Sequence, residues 1–250
     1  MFQVSIIMAT YNRASTVVRA IISIKSQSYP NIQLIVVDGA SDDNTVSLVE
    51  PLLCHGDVLI SEPDKGIYDA LNKGLELATG EIIAFLHSDD LYSDVDVISK
   101  IVEQFCDKSI DAVYGDVSFF SIENDKKTTR IYRSDKLSKK NLAWGKMPAH
   151  PAMFIRRRVY DKVGGFKINF KIAADYEFLC RMVQYPNLKA IKLDGVWVRM
   201  QTGGVSTGGL SSTILLNKEV MRALRNNRIS SNLFMILSKY PSKLLQFFRK

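Results

Sequence analysis

Side chains that can bind metals and nucleotides follow four short apolar runs near the start of this 250-residue chain. The runs end at residues 9, 37, 60 and 86, and the polar groups after them are Thr10-Tyr11-Asn12, Asp38-Gly39, Ser61-Glu62-Pro63-Asp64 and His87-Ser88-Asp89-Asp90. Carboxylate oxygens are preferred ligands of hard divalent cations, which in turn hold phosphates. Clustered carboxylates also disfavour one another's charge unless something positive lies among them. These residue types therefore indicate a divalent metal that carries a nucleotide diphosphate.

The elements that must position these groups alternate along residues 1–90. Each apolar run is rich in β-branched side chains, and helical patterns begin near Ser15, Ser41 and Gly66. Alternation of strand and helix predicts a doubly wound α/β fold, with a mostly parallel sheet and helices on both of its faces. The carboxyl ends of parallel strands meet at one edge, where open α/β sheets bind ligands. The four polar groups are therefore expected to lie together at that edge.

The alternation ends after a fourth helical pattern over residues 95–105. Shorter strands are predicted around residues 112–114, 117–120, 130–132 and 152–155, with a turn or loop at 123–127 and a final hairpin over 189–193 and 196–198. A helix is predicted over residues 175–183. We expect a small antiparallel extension of the sheet here, one domain over residues 1–209, and C-terminal helices in a tail over 210–250.

Several of these residues have a simpler structural explanation as well. Asp89 and Asp90 can hold a cation or can form a polar turn before the next helix. Asp38 can bind a base or ribose, or can cap the helix after Ser41. Thr10, Tyr11 and Asn12 can frame a nucleobase by stacking and hydrogen bonding, or can simply begin a helix. The residues alone leave these alternatives open.

Further candidates lie outside the strand ends. Asp69, Asn72 and Lys73 share one face of the third helix, although Asp69 and Lys73 are also spaced as a surface ion pair. Asp175 opens a predicted helix, where capping alone would explain an acid. His150 lies between Pro148 and Pro151, which suits a fixed turn; a structural histidine is the alternative to a role on the acceptor or diphosphate side.

The net charge of +7 is concentrated at the end of the chain. Residues 210–250 contain eight Lys or Arg and the single acid Glu219, while the other 25 bases and 25 acids balance. This distribution argues against a nucleic-acid-binding body and favours an anionic membrane surface as the partner of the tail, through residues 231–250. The start of the chain lacks the pattern of a secretory signal, and the three cysteines lack metal spacing. We therefore expect a cytoplasmic protein, peripheral on the inner face of the membrane.

Three common enzyme motifs are absent from the sequence. It contains no Gly-rich dinucleotide fingerprint, no phosphate-binding loop of the Walker type and no spacing of a Ser-His-Asp triad. These absences count against a dehydrogenase, a P-loop enzyme and a serine hydrolase.

Taken together, residues 4–12 (VSIIMATYN), 34–45 (LIVVDGASDDNT) and 80–90 (GEIIAFLHSDD) are similar to family 2 glycosyltransferases with the GT-A fold. The resemblance covers about residues 3–205, with at least four motifs in the family's order. Residues 62–74 resemble the members that act in bacterial polysaccharide assembly, including the colanic-acid, O-antigen and capsule pathways.

The resemblance implies a role for each matching residue at the donor site. Thr10, Tyr11 and Asp38 would hold the uridine or guanosine of a nucleotide-sugar. Asp89 matches the second acid of the DxD motif, which binds Mn²⁺ or Mg²⁺ on the diphosphate. His87 replaces the first acid, and imidazole is a poorer partner for Mg²⁺ than a carboxylate. Asp90 is expected beside the metal, and the other donor-site candidates are Asn12, Asp69, Asn72, Lys73 and Ser88.

On the acceptor side, Asp175 falls at the position of the family's catalytic base. Ala174 precedes it where the family often has a second acid. Gly204 and Ser206 belong to a segment that resembles the loop closing over the diphosphate. The implied reaction is a single displacement with inversion, from a UDP- or GDP-linked sugar to a saccharide hydroxyl, which in such pathways is commonly carried on a polyprenyl lipid.

Two other functions remain open at this point. A sugar nucleotidyltransferase is also an α/β, metal-dependent enzyme, but its phosphate loop needs glycines that Thr10-Tyr11-Asn12 lacks. A binding subunit that has lost catalysis would explain His87, although the retained Asp89 and Asp175 count against it.

Overall fold

The computed structural model describes residues 1–121, 124–203 and 209–238. Within these residues one sheet contains the strands β1 (Val4–Thr10), β2 (Ile32–Asp38), β3 (Val58–Ser61), β4 (Ile82–Phe85), β5 (Leu91–Tyr92), β6 (Ala112–Ser121), β7 (Asn124–Tyr132), β8 (Met153–Arg156) and β9 (Ala190–Gln201). Their order is β3-β2-β1-β4-β8-β6-β9-β5, and β7 pairs with β6.

The first half of the sheet is parallel, as predicted. β1 pairs with β2 and β4, and β2 pairs with β3, all in the parallel direction. Every residue of β1 is buried, including Ser5, which explains why the strand is a nearly continuous apolar run rather than an alternating one. The register places Thr10 beside Asp38 and Asp38 beside Ser61. The polar groups after β1, β2 and β3 therefore lie along one edge.

Helices cover both faces of this sheet. They are α1 (Val17–Lys25), α2 (Thr45–Val49), α3 (Ile67–Leu77), α4 (Val97–Gln104), α5 (Lys139–Ala143), α6 (Arg157–Val163), α7 (Ala174–Met182), α8 (Leu210–Asn226) and α9 (Leu233–Leu237). Alternate residues of β1 enter different cores: Ile7 packs in the cluster that contains Leu71 of α3, and Ile6 packs in the cluster that contains Ile21 of α1. The doubly wound arrangement is thus confirmed.

The second half of the sheet mixes strand directions. β8 is antiparallel to both β4 and β6, whereas β9 runs parallel to β6. β7 and β5 add antiparallel pairings at β6 and β9. The predicted turn at 123–127 is wrong for its greater part, because β7 begins at Asn124.

The predicted hairpin over 189–193 and 196–198 is also wrong. Residues 190–201 form the single strand β9 along β6. Tyr114 of β6 pairs with Lys192 and Asp116 pairs with Val196, so the register shifts across this stretch. Gly195 lies there with a φ of 121°. This glycine marks a bulge inside a strand rather than a turn between two strands.

The C-terminal helices pack on the body of the protein. Val220, Ala223 and Leu224 of α8 are buried in the same core as residues of α7, and Ile229 and Ile236 extend that contact. The first part of the predicted tail is therefore continuous with the core in this structure. No helix in the described part of the chain is long and apolar enough to cross a membrane.

Candidate functional site

The ends of β1 and β2 form the first part of the candidate site. Asp38 is fully buried, and its carboxylate accepts hydrogen bonds from the Ser41 amide at 2.8 Å, from the Ser41 hydroxyl and from the Ser61 hydroxyl at 2.7 Å. Thr10 beside it is buried, with no hydrogen-bond partner for its hydroxyl among the described residues. Asp38 thus shapes the loop that faces Thr10, whose hydroxyl is buried without a described partner.

Tyr11 provides an exposed aromatic face beside these buried groups. Its side chain is 57% exposed. A Cβ atom placed on Gly39 would lie 3.5 Å from the Tyr11 ring and 2.6 Å from Oδ2 of Asp64. Gly39 therefore allows the Tyr11 ring and Asp64 to approach the backbone of the β2 loop together. Asp64, the last residue of the polar group after β3, is a further residue of this edge.

Asn12 joins the loops after β1 and β2. It adopts a left-handed backbone conformation with a φ of 50°, which asparagine tolerates better than most residues. Its backbone amide donates to the Ser41 hydroxyl at 2.8 Å, and its side-chain oxygen accepts from the Asp42 amide at 3.1 Å. These bonds fix the direction in which the neighbouring Tyr11 leaves the strand.

The side chains of the polar stretch over residues 62–74 contact mainly one another and the loop before α7. Lys73 lies 2.7 Å from Glu62 and 3.9 Å from Asp69, so the ion pair at helical spacing is the looser one. Asp69 also accepts a hydrogen bond from the Lys65 amide at 3.0 Å. Both groups of the Asn72 amide bond the Phe166 backbone, at 2.7 and 2.8 Å. These contacts give Asp69, Asn72 and Lys73 structural partners near the edge.

The end of β4 brings the next group to the same edge. Asp89 is partly exposed, whereas Ser88 and Asp90 are buried. One oxygen of Asp90 accepts from the Gln201 amide at 3.2 Å, and its other oxygen has no partner among the described residues. Burial and the adjacent Asp89 charge raise the pKa of Asp90 well above its usual value. Asp89 is thus the more exposed of the two carboxylates at the end of β4.

His87, which follows β4 at this edge, and His150 are neighbouring imidazoles. Burial lowers the pKa of His87, and Asp89 opposes that shift. His150 stacks on Phe85 at a ring distance of 5.2 Å and meets the edge of Phe166 at 5.4 Å. Burial and the neighbouring His87 lower the pKa of His150 to about 3. Both rings are therefore neutral at physiological pH, and one nitrogen of each lacks a described partner.

Asp175 lies in the first turn of α7 and is partly exposed. Its side chain accepts from the Tyr176 amide at 2.8 Å, and the Tyr68 hydroxyl lies 3.5 Å from it. That hydroxyl donates to the Ile172 carbonyl at the shorter distance of 2.6 Å. Burial raises the pKa of Asp175 to about 6. A carboxylate with this pKa is ionised at neutral pH, yet basic enough to accept a proton during a reaction.

Glu219 of α8 holds the segment that leads into this helix. Its carboxylate accepts hydrogen bonds from three successive backbone amides, those of Lys171 at 2.8 Å, Ile172 at 2.9 Å and Ala173 at 3.0 Å. Arg222, one turn later, donates to the Asn169 carbonyl at 2.7 Å. Residues 169–173 are therefore fastened to α8 immediately before Asp175. The sequence contained one signal for this role, because Glu219 is the lone acid among the eight bases of residues 210–250.

Contacts across the structure link several of the predicted residues to other elements of the fold. Tyr68, which follows the β3 loop, reaches Asp175, and the Gln201 amide at the end of β9 reaches Asp90. His87 and His150 lie close enough for their charges to interact. Two predicted residues, Gly204 and Ser206, lie outside the described residues. The roles assigned to the remaining site residues stay predictions.

The donor set at this edge suits a cation that also binds phosphate. No group of three or more His, Cys, Asp or Glu side chains forms a closed metal site in the described part of the chain. Mg²⁺ is commonly held by one or two carboxylates together with substrate phosphates rather than by a protein cage. The partly exposed Asp89 and the unpartnered oxygen of Asp90 fit that pattern.

Comparison with known proteins agrees with this geometry. The family model described as "Glycosyl transferase family 2" matches residues 5–164. A "PGL/p-HBAD biosynthesis glycosyltransferase" of Mycobacterium tuberculosis is 27% identical over 245 residues, covering 96% of this chain and 91% of the relative. An uncharacterised glycosyltransferase of the same species is 34% identical over 184 residues, covering 71% of this chain and 68% of the relative.

Solved structures share the fold at lower identity. S. aureus TarS 1–349 in complex with UDP-GlcNAc superimposes with a TM-score of 0.71 at 19% identity, over 92% of this chain and 68% of that one. The chain spans 40% of a longer TarS structure. The mannosyltransferase PcManGT from Pyrobaculum calidifontis, in complex with GDP-Man and Mn²⁺, gives 0.61 at 20% identity, over 98% of this chain and 80% of that one. The predicted GT-A fold is thereby confirmed.

Proposed function

Because the chain belongs to glycosyl transferase family 2, we propose that it transfers a sugar, with inversion, from a nucleotide-sugar to a saccharide hydroxyl in bacterial surface polysaccharide synthesis. The observation that carries the proposal is Asp175, an ionised and partly buried carboxylate whose pKa is raised to about 6. It begins a helix that Tyr68 connects to the strand-end edge. An acceptor hydroxyl needs such a base, and the edge provides the place for a donor.

The donor is proposed to be a UDP- or GDP-linked sugar. Tyr11 offers an exposed ring on which a base can stack, and the unpartnered Thr10 hydroxyl lies beside it. Two structural neighbours bind donors of these kinds, UDP-GlcNAc in TarS and GDP-Man in PcManGT. Both nucleotides carry the same diphosphate, which would lie toward Asp89.

The proposed reaction forms one bond and breaks another in the same step. Asp175 removes the proton from the acceptor hydroxyl, and the oxygen attacks the anomeric carbon from the side opposite the nucleotide. The bond between that carbon and the diphosphate oxygen breaks, and the nucleoside diphosphate leaves with its electron pair. Asp89, with Asp90 beside it, would hold Mn²⁺ or Mg²⁺. When bound, this metal would neutralise charge that develops on the diphosphate.

The acceptor is proposed to be a saccharide carried on a polyprenyl lipid, with the enzyme working at the inner face of the cytoplasmic membrane. The concentration of positive charge in residues 210–250 supports this location. Family membership favours transfer of a sugar over synthesis of a nucleotide-sugar. It leaves the non-catalytic binding subunit as the alternative to exclude by experiment.

Donor binding and donor hydrolysis together test the proposal. Calorimetry with UDP and GDP, each with and without Mn²⁺, should give metal-enhanced binding of one of the two. A panel of nucleotide-sugars should then release the matching nucleoside diphosphate, slowly with water and faster with a saccharide acceptor. Binding without any release would identify the binding subunit, and no binding of either nucleotide would contradict the proposed function.

The contacts of Glu219 lead to a prediction about the acceptor side. Glu219→Gln replaces one carboxylate oxygen by an NH₂ group that faces backbone N–H donors, so residues 171–173 should shift. We expect kcat to fall about 10- to 100-fold, the size of effect that a small misplacement of a catalytic group can cause. The Kd for the nucleotide should stay unchanged, because Glu219 contacts the segment before Asp175.

A pH profile separates this positioning role from general loss of structure. The charge of Glu219 contributes to the raised pKa of Asp175. Residual activity of Glu219→Gln should therefore decline at a lower pH than that of the wild type. Glu76→Gln on the exposed face of α3 is the matched control and should leave rate and profile unchanged. Equal losses of nucleotide affinity and of kcat in Glu219→Gln would refute the positioning role.

A further inference from the structure

Basic side chains without ion pairs surround a cleft at the far end of α7 from Asp175. Lys139 and Lys140 of α5 and Arg228 just after α8 line this cleft of about 300 Å³. This volume lies at the lower end of those typical for small-molecule sites. None of the three has a carboxylate partner among the described residues. We call this feature the basic cleft.

Nearby acidic charge does not neutralise the basic cleft. Glu177 contacts the lining residue Asn227 at 3.3 Å, but the Glu177 carboxylate is already paired with Arg181 at 2.9 Å. The side chains of Lys139, Lys140 and Arg228 are exposed. The cleft therefore presents its positive charge to the outside, where an anionic group can reach it.

The backbone at Arg228 adds a second observation. Arg228 has a φ of 54°, in the left-handed region that glycine or asparagine usually occupies after a helix. The Ile229 amide bonds the Leu224 carbonyl at 2.9 Å, which closes the end of α8 in this conformation. An arginine is strained here, whereas a glycine would not be. The position thus carries a charged side chain that the local fold does not require.

An exposed apolar surface adjoins the basic cleft. In α9, Leu233 is 55% exposed, Phe234 is 77% exposed and Leu237 is 43% exposed, while Ile236 is buried in the core. The Ser231 hydroxyl donates to the carbonyl of Ala143, the last residue of α5, so α9 begins beside the helix that carries Lys139 and Lys140. Ile236 and the partly buried Met235 pack on the core and hold α9 in place, which leaves Leu233, Phe234 and Leu237 exposed.

We propose that the basic cleft and the exposed face of α9 form one docking surface for an anionic lipid bilayer. Large apolar side chains beside unpaired basic groups are the pattern of elements that lie in a membrane interface. Charge complementarity favours anionic headgroups at the cleft, with Phe234 and Leu233 entering the acyl boundary. The twelve residues after Ser238 continue the same chemistry, since they contain four Lys or Arg and no acid.

This inference deepens the proposed function, because it rests on a lipid-linked acceptor for its purpose. Asp175 lies about 10 Å along α7 from Met182 at its end, and Gln184 just beyond that end lines the cleft. Docking at that end leaves the strand-end edge uncovered, so that a nucleotide-sugar can still enter. The folded body, and not only the residues after Ser238, would thus contact the bilayer.

Flotation of the full chain with vesicles tests the docking surface. Vesicles of phosphatidylcholine alone are compared with vesicles that also contain phosphatidylglycerol. The wild type should bind the anionic vesicles and lose binding as salt is raised. Arg228→Gly and Lys140→Glu should each weaken binding by about fivefold or more, since each basic residue near such a surface contributes about that factor. Leu233→Ser should weaken binding as well.

Matched variants show whether the effect belongs to this surface. Ile22→Ser on α1 changes a side chain of 53% exposure on the opposite face of the sheet, and Lys100→Glu makes the same charge change on α4. Both should bind vesicles like the wild type. Arg228→Gly should also keep or raise the melting temperature, because it relieves backbone strain, so a loss of binding cannot be attributed to unfolding.

Three results would overturn the docking surface. The first is normal vesicle binding by Arg228→Gly and Leu233→Ser, and the second is an equal loss in Ile22→Ser and Lys100→Glu. The third is a dimer in solution that Phe234→Ser dissociates, which would assign α9 to a second copy of this chain. Nucleotide binding measured without vesicles reports on the proposed function separately, so failure of one is distinguishable from failure of the other.

Discussion

Asp175→Asn should reduce sugar transfer about 10²- to 10⁴-fold, the range over which a general base accelerates reactions. Asparagine keeps the size of the side chain and can still accept the hydrogen bond from the Tyr176 amide, but it cannot take a proton from an acceptor. The rate of nucleoside diphosphate release in the presence of acceptor measures the effect. The Kd for the nucleotide should remain close to that of the wild type.

The pH dependence of transfer is an independent test of Asp175 as the general base. The pKa of Asp175 is raised to about 6, so the carboxylate is ionised above that pH and protonated below it. Transfer by the wild type should therefore be half-maximal near pH 6, level off at higher pH and approach a tenfold fall per pH unit at lower pH. The residual activity of Asp175→Asn should lack this decline.

Thermal unfolding provides the control for Asp175→Asn. A pKa raised by burial means that the folded state disfavours the ionised carboxylate, so above pH 6 this group costs stability relative to its ordinary pKa of 3.8. A neutral amide removes that cost. The melting temperature at pH 8 should therefore not decrease. Near-normal transfer by a folded Asp175→Asn protein would show that another group is the base.

The parallel half of the fold could be predicted because local sequence determines it. β1 and β2 are short, nearly continuous apolar runs bounded by polar groups, which is typical of a strand covered on both faces. β9 could not be predicted in the same way. Gly195 has the local signature of a turn, and only pairing with the long strand β6 turns it into a bulge.

The same distinction between local pattern and long-range packing decides which residues of the candidate site could be predicted. Residues at the ends of parallel strands, such as Asp38 and Asp89, must come to one edge, so their grouping follows from the strand pattern. Glu219 lies 44 residues after Asp175 in the sequence. Its contact with residues 171–173 exists only because α8 packs on α7. Spacing along the chain contains no information about that packing.

His150 shows how packing decides between alternatives that sequence leaves open. Flanking prolines indicated a fixed turn but not its surroundings. The structure places the ring between Phe85 and Phe166, where burial keeps it neutral. Its proximity to His87 connects this aromatic group to the edge that contains Asp89. Phe85, His87 and Phe166 are all distant from His150 in the sequence.

Asp89→Ala should abolish the metal-dependent part of nucleoside diphosphate binding. Asp89 is the partly exposed carboxylate at the end of β4, and a cation held there would join the protein to the diphosphate. We expect the gain in affinity that Mn²⁺ confers on UDP or GDP to fall about 10- to 100-fold or more, because loss of residues that merely support metal ligands already has effects of that size. Calorimetry with and without Mn²⁺ measures this gain directly.

Asp90→Asn is the matched variant for Asp89→Ala. Asp90 is buried, and one of its oxygens accepts from the Gln201 amide, a bond that asparagine can keep. Burial and the Asp89 charge also raise its pKa, so a neutral side chain is a small change there. Asp90→Asn should therefore retain more of the metal-dependent affinity than Asp89→Ala. The wild type should bind Mn²⁺ weakly without nucleotide, because His87 stands where the resemblance implies an acid. Equal affinity for the nucleotide in wild type and Asp89→Ala, unaffected by Mn²⁺, would refute the metal role of Asp89.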